Sequence, residues 1–381
     1  MKDMFSEIRR GPVFRLRGLP LPQSRRPDRL RDLEDFGSNP GALRARCHVP
    51  ANLPPNAPLV VALHGCTQTA GDYDNGSGWS QLADQQGFAV LYPEQQRTNN
   101  PNLCFNWFAP DDIRRGSGEA LSIRQMVETI IAREGLDRTR VFVTGLSAGG
   151  AMTSVMLATY PEVFAGGGII AGLAYGVATT IPEAFDRMRG LGMPSDTALR
   201  SLLRQASGNS GHWPRISVWQ GTADHTVTPV NAQAIVAQWQ GIHGLDGVTP
   251  QVTTAQGQSR RVWRDRRGRE LIEEYSIAGM GHGVPLDTRG QHHYGEAAPY
   301  MLEAGISSTL QIARFWGIAD AGALVADDVG AEAALQPSHA ENTPEIAPQA
   351  FTSMAGHATS SQSAKIRKVI EDALRTAGLM R

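Results

Sequence analysis

The residue pattern predicts an α/β fold in which a mostly parallel central sheet is flanked by helices on both faces. Short apolar runs ending at Gly or Pro recur along the middle of the chain, helical periodicity fills the intervals between them, and both textures stop near Trp316. A sheet covered on both sides buries both faces of its strands, so such strands read as continuous apolar runs and not as alternating ones.

Residues 1–38 are rich in Arg and broken by Pro and Gly, and they read as a mobile arm. Interspersed Asp and Glu cancel part of the charge, which disfavours an anion-binding role. A catalytic domain is expected over 39–318. Its strands are read in "APLVVALHG" (57–65), "GFAVLYPE" (87–94), "RVFVTG" (140–145), "GGIIAG" (167–172) and "RISVWQG" (215–221). In "SIRQMVETIIAREG", Ile123, Met126, Val127, Ile130 and Ile131 recur every three or four residues and Gly135 supplies the stop. A second helix is expected from Ala148 to Tyr160, and a third in "PVNAQAIVAQWQGIHG", with Pro229 in its first turn.

Residues 174–212 break the rhythm with a polar, helical stretch, an insertion that is either a cap over the carboxyl edge of the sheet or a peripheral decoration. Residues 319–360, rich in Ala, Pro, Thr and Ser, are expected to form a flexible linker. In 361–381, Ile366, Val369, Ile370, Ala373 and Leu374 make the apolar stripe of an amphipathic helix. That helix is expected to dock on the domain, with contact to a partner or polymer surface as the alternative.

Composition excludes several classes. Lys and Arg (36) balance Asp and Glu (37), so no overall field draws the protein to nucleic acid or acidic membranes. Three cysteines, with no CxxC pair, argue against a disulfide-built scaffold, a zinc site and redox chemistry, and leave one bridge, Cys66 to Cys104, open. No window of 18 apolar residues predicts a membrane span. The first residues carry neither a continuous apolar run of seven nor a small-residue cleavage site, so they do not read as a secretory signal and the expected compartment is the cytoplasm.

The chemistry centres on "VFVTGLSAGGAM" (141–152). Gly145-Leu146-Ser147-Ala148-Gly149 follows a buried strand and opens a helix, the sharp turn that lifts a serine hydroxyl above the sheet edge. An N-cap serine would need no such glycine pair. A serine is inert near neutral pH without a base and a group to orient that base. "VWQGTADHTV" places Asp224 just past one strand, and "YSIAGMGHG" places His282 past the next. The order Ser147, Asp224, His282 is that of an α/β-hydrolase. The other histidines are read as structural: His225 adjoins the acid, and His212, His243, His292 and His293 lie in polar, turn-rich or helix-ending segments. In "LHGCTQ" the chain leaves a strand through His64-Gly65-Cys66, where an oxyanion loop sits, so the amides of Cys66 and Ala148 are the candidate oxyanion donors.

Four segments carry a resemblance. "LHGCTQTAGDYDNGSGWSQLADQQGFAVLYPEQQRTNNPNLCFNWF", "RRGSGEALSIRQMVETI", "RVFVTGLSAGGAMTSVMLATYPEVFAGG" and "WQGTADHTV", in that order, resemble the polyhydroxybutyrate depolymerase family of esterases, itself similar to feruloyl and acetylxylan esterases. The resemblance runs from Pro40 to Gly317. It implies an α/β-hydrolase fold without metal or organic cofactor, with Ser147 as nucleophile, Asp224 as acid and His282 as base. It further implies a substrate site near the "CFNWF" segment, where Trp107 would line the groove or pack in the core. A Cys66–Cys104 bridge stiffening the oxyanion loop and an extracellular location also follow from the resemblance. No polymer-binding domain is visible, which weakens the expectation for crystalline polymer more than that for ester hydrolysis.

The expected function is therefore hydrolysis of short-chain 3-hydroxyalkanoate esters, as polymer, oligomer or small ester. The alternatives are a carbohydrate esterase of the feruloyl or acetylxylan type and a non-enzymatic granule-binding protein on a hydrolase scaffold.

Overall fold

The computed structural model describes residues 29–320 except 210, 291 and 292. In chain order, Arg31–Asp32 (β1), Arg44–His48 (β2) and Leu59–Leu63 (β3) precede the helices Ala70–Ser77 (α1) and Trp79–Gln86 (α2). Ala89–Glu94 (β4), Pro110–Ile113 (α3), Gly118–Glu134 (α4), Val141–Leu146 (β5), Ala148–Thr159 (α5) and Gly166–Ile170 (β6) follow. Next come Ile181–Met188 (α6), Asp196–Ser207 (α7), Arg215–Gly221 (β7) and Val230–His243 (α8). Gln251–Ala255 (β8), Gln258–Arg264 (β9) and Glu270–Ile277 (β10) close the large sheet, and Val284–Leu286 (β11), Met301–Glu303 (β12) and Ser308–Trp316 (α9) complete the domain.

The ten-stranded sheet runs β1-β2-β4-β3-β5-β6-β7-β10-β9-β8. From β4 to β10 every pairing is parallel. Alternate residues of the central strands enter two separate cores. Leu59, Val61 and Leu63 of β3 pack with α4, α5 and α8 residues on one face, while Val60 and Ala62 pack with Trp79, Phe88 and Trp316 on the other. Each Leu, Val and Phe among them contributes about 1.5–3 kcal/mol by leaving water. In β6 three successive glycines let helices approach from both sides: a Cβ on Gly167 would stand 2.3 Å from Leu157 of α5, and one on Gly166 2.9 Å from Trp316 of α9.

Three details of the structure refine these expectations. The arm ends earlier than 38, because Arg31 and Asp32 pair antiparallel with Cys47 and Arg46, and Leu30 and Leu33 are buried. Both flanks of the sheet are antiparallel, through β2 on one side and the β8–β9 hairpin on the other. β2 alternates buried and more exposed residues and β8 is exposed throughout, so neither shows the continuous apolar run that marks the centre. Pro229 is the N-cap of α8 and not within its first turn.

The insertion 174–212 holds α6 and α7. The buried Gln238 of α8 ties it down, accepting from Tyr175 N–H and donating to the carbonyls of Tyr175 and Leu199 at 2.9–3.0 Å. Residues 1–28, the expected linker beyond Asp320 and the expected helix 361–381 lie outside the described residues.

Candidate active site

β5 ends at Leu146 and α5 begins at Ala148, leaving Ser147 alone in the turn with φ 57° and ψ −117°. A left-handed serine between a strand and a helix costs about 1–3 kcal/mol and persists only where its surroundings impose it. Here Ser147 N–H donates to Ile170 O of the neighbouring β6 at 2.9 Å. Ser147 stands at the N-cap position of α5, but its side chain makes no capping hydrogen bond, so its hydroxyl is not committed to the helix end. The flanking glycines are obligatory. A Cβ on Gly145 would lie 2.5 Å from Gly149 C, and one on Gly149 would lie 2.3 Å from Leu63 O and 2.5 Å from His64 O. The serine turn and the end of β3 are thus in backbone contact.

Asp224 follows β7 and His282 follows β10, two adjacent parallel strands whose loops leave from the same edge. Gly221 lets the loops meet: a Cβ there would stand 2.2 Å from Met280 O. Ala223 N–H also donates to Met280 O at 3.0 Å. The result is a hydrogen bond of 2.7 Å between His282 Nδ1 and Asp224 Oδ2. Asp224 is buried with its charge, and four donors offset that cost: Thr226 N–H and Val227 N–H on Oδ1, at 2.8 and 2.9 Å, and Gln220 Nε2 and His282 Nδ1 on Oδ2. A carboxylate only accepts, so Nδ1 of His282 carries the proton and Nε2 is left with the lone pair that a general base requires.

The third part is the loop after β3. His64 is fully buried. Its Nε2 accepts Gln95 N–H at 3.1 Å, which places its own proton on Nδ1, 2.8 Å from Gly65 O. Burial pushes the His64 pKa down, so the ring stays neutral. Cys66 is disulfide-bonded to Cys104, and Thr67 N–H donates to Asn102 O at 2.7 Å. Among the described residues, no protein acceptor takes the amide hydrogen of Cys66 or of Ala148. Two unclaimed amides, one on each side of the Gly149 contact, suit the developing charge of an oxyanion.

Trp107 is 7% exposed and packs edge-on to Phe108, with ring centroids 5.5 Å apart, inside the core shared with α4 and α5. Reasoning from the sequence missed Gln220, the second side-chain donor to Asp224, and Tyr300, whose ring stands edge-on to His282 at 6.1 Å. Gln220 carries no local signal, since its partner lies across its own turn; Tyr300 sits after a loop that gives no motif. No cluster of three or more His, Cys, Asp or Glu among the described residues is arranged to hold a metal ion, and no described helix is long and apolar enough to cross a membrane.

Residues 48–261 match the family model described as esterase PHB depolymerase. The chain belongs to that family. Among curated members and their relatives, the poly(3-hydroxyalkanoate) depolymerase C of Paucimonas lemoignei is 48% identical over 292 residues, 76% of this chain and 70% of the relative. The feruloyl esterase B of Talaromyces funiculosus is 31% identical over 267 residues, covering 68% of this chain and 74% of the relative. Among solved structures, the acetyl xylan esterase from Aspergillus awamori superposes with a TM-score of 0.65 at 28% identity, over 76% of this chain and 99% of the other. Family membership makes this protein a serine carboxylic ester hydrolase of the α/β-hydrolase fold, and it sets aside the reading of an inert granule-binding scaffold.

Proposed function

We propose that the protein cleaves esters of short-chain 3-hydroxyalkanoic acids, polyester chains and their oligomers included, with Ser147 as nucleophile, His282 as general base and Asp224 as the group that orients it. The observation that carries the assignment is the buried 2.7 Å pair of His282 Nδ1 and Asp224 Oδ2, formed on the same sheet whose β5–α5 turn holds an uncapped Ser147. His282 Nε2 takes the Ser147 proton as Oγ bonds to the ester carbonyl carbon. The carbonyl oxygen, now negative, accepts from the amides of Cys66 and Ala148. His282 then returns the proton to the departing alcohol oxygen, leaving an acyl-serine. Water repeats the sequence, giving its proton to His282 and its hydroxide to the acyl carbon, and Ser147 leaves with the proton.

The similarity to a poly(3-hydroxyalkanoate) depolymerase supports the hydroxyalkanoate substrate. A second reading, a carbohydrate esterase, is favoured by the similarity to acetyl xylan and feruloyl esterases. Release of soluble product from amorphous poly(3-hydroxybutyrate), measured beside turnover of a nitrophenyl ester and of methyl ferulate, separates them. Serine-dependent release from the polymer is expected; ferulate turnover without polymer release would favour the second reading. In Ser147→Ala and His282→Ala all three activities are expected to fall at least 10⁴-fold with the fold retained, and full activity in either would remove the triad. Contact with a polymer surface through residues 361–381 belongs to the same proposal, and a chain truncated before 361 should bind solid polymer less while turning over the nitrophenyl ester normally. Of the two compartments expected, the Cys66–Cys104 bridge favours an oxidising, extracellular one.

A further inference from the structure

Glu119, in the first turn of α4, has no solvent exposure. A carboxylate in such a place ordinarily finds a cation, because burying an unpaired charge is costly. Among the described residues no Lys, Arg or His pairs with Glu119. Its partners are three neutral N–H groups: Gln95 Nε2 at 2.6 Å and Asn99 Nδ2 at 3.3 Å on Oε1, and Asn106 N at 2.9 Å on Oε2. All three belong to the segment 95–106 that carries Cys104.

That segment reaches the candidate oxyanion loop by two routes, and Gln95 serves both. Its backbone N–H donates to His64 Nε2, and His64 in turn holds Gly65 O. Its side-chain amide donates to Cys104 O at 3.0 Å as well as to Glu119, and Cys104 is covalently joined to Cys66. On the far side, a Cβ on Gly41 would stand 2.5 Å from Glu119 Cα, so the first turn of α4 has no room to shift.

We propose that Glu119, acting through Gln95, is a positioning residue for the oxyanion loop, holding the Cys66 amide in place only while its carboxyl is ionised. This rests on the proposed role of the Cys66 amide. The physical reason is the polarity of the partners: three donors suit a carboxylate, whereas a proton on either oxygen would face an N–H and release one of them. Burial, and then the neighbouring carboxylate of Asp112, push the Glu119 pKa up to about 8. Asp112 is the charged group that faces it; its Oδ1 accepts Glu119 N–H at 3.2 Å. Between about pH 4.5 and 8 the native state holds a proton that the unfolded chain has lost, so the Glu119 contribution to stability falls as the pH rises to about 8 and is flat above, where the ionised form seats the loop.

The test is the pH dependence, from 6 to 10, of kcat and KM for a nitrophenyl butyrate ester, together with Tm, in the wild type, Glu119→Gln, Glu119→Asp and Ser147→Ala. In the wild type, kcat should show an acid limb near pH 8 in addition to that of the general base. At pH 9 Glu119→Gln should lower kcat about 10- to 100-fold with KM within twofold, as expected for a donor used only in the transition state, and the difference should shrink towards pH 6. It should also lose the limb near pH 8 and melt no lower than the wild type at pH 9. Glu119→Asp should keep the limb and part of the rate. A kcat in Glu119→Gln within twofold of wild type at pH 9, or a loss of rate matched by loss of folded protein, would overturn the inference. If Glu119→Gln does not fold, the wild-type profile decides alone, and absence of a limb near pH 8 overturns it. Turnover by Ser147→Ala would instead overturn the reading beneath it; an inactive Ser147→Ala beside a fully active Glu119→Gln would overturn this inference only.

Discussion

Gln220 and His282 meet on one oxygen: Nε2 of the glutamine donates to Asp224 Oδ2 at 3.1 Å, and Nδ1 of the histidine to the same atom at 2.7 Å. Gln220 also donates to Val227 O at 3.0 Å, so it spans the turn that carries the acid. Gln220→Met removes one donor from the buried carboxylate and from Val227 O, and frees the turn that aims Asp224 at His282. The rate constant kcat should fall about tenfold, and stability by about 1–3 kcal/mol for the donors lost. Ester turnover beside a urea titration checks both.

Gly149→Ala places a methyl group where Leu63 O and His64 O already stand. Either α5 or the end of β3 must shift, with a cost of about 3 kcal/mol. Because the shift separates the Ser147 turn from the Cys66 loop, kcat should fall further than the loss of stability explains at a temperature where the variant remains folded. Thermal melts and ester turnover on the same sample measure the two effects.

Reduction of the Cys66–Cys104 bridge, which spans 38 residues of chain, should cost about 4 kcal/mol through the entropy returned to the unfolded state. The bridge also joins the candidate oxyanion loop to segment 95–106. Reduced protein, still folded by circular dichroism, is expected to keep its KM and lose kcat; equal kcat in both redox states would separate the bridge from the site.

His243 is partly buried, with Nε2 3.1 Å from Pro214 O, and desolvation of the ring pushes its pKa down to about 4. In the unfolded chain a histidine titrates near 6.5. Between these values the unfolded state binds a proton that the native state does not, so stability falls as the pH drops from about 6.5 to 4, by about 3 kcal/mol in all, and levels off below. The lowered His64 pKa acts in the same direction. Urea midpoints across this range should slope less in His243→Gln than in the wild type.

The sequence by itself determined the centre of the sheet and the three residues of the proposed triad. Both are written locally: β3 to β7 are apolar on both faces, and Ser147, Asp224 and His282 each stand just past a strand beside glycines that a tight loop needs. The edges of the sheet were illegible because β8, "QVTTA", is exposed throughout and has no face to advertise. Glu119 reads in the chain as an ordinary acid placed at the positive end of a helix. Only the tertiary structure shows it buried, because what covers it comes from Gly41 and from residues 95–106. Gln220, four residues from its acid, becomes a partner only once the turn after β7 folds back. Patterns along the chain record which residues must be buried and where the backbone must turn. Which polar groups end up sharing a buried site is decided by contacts between distant segments, and these leave no period in the sequence.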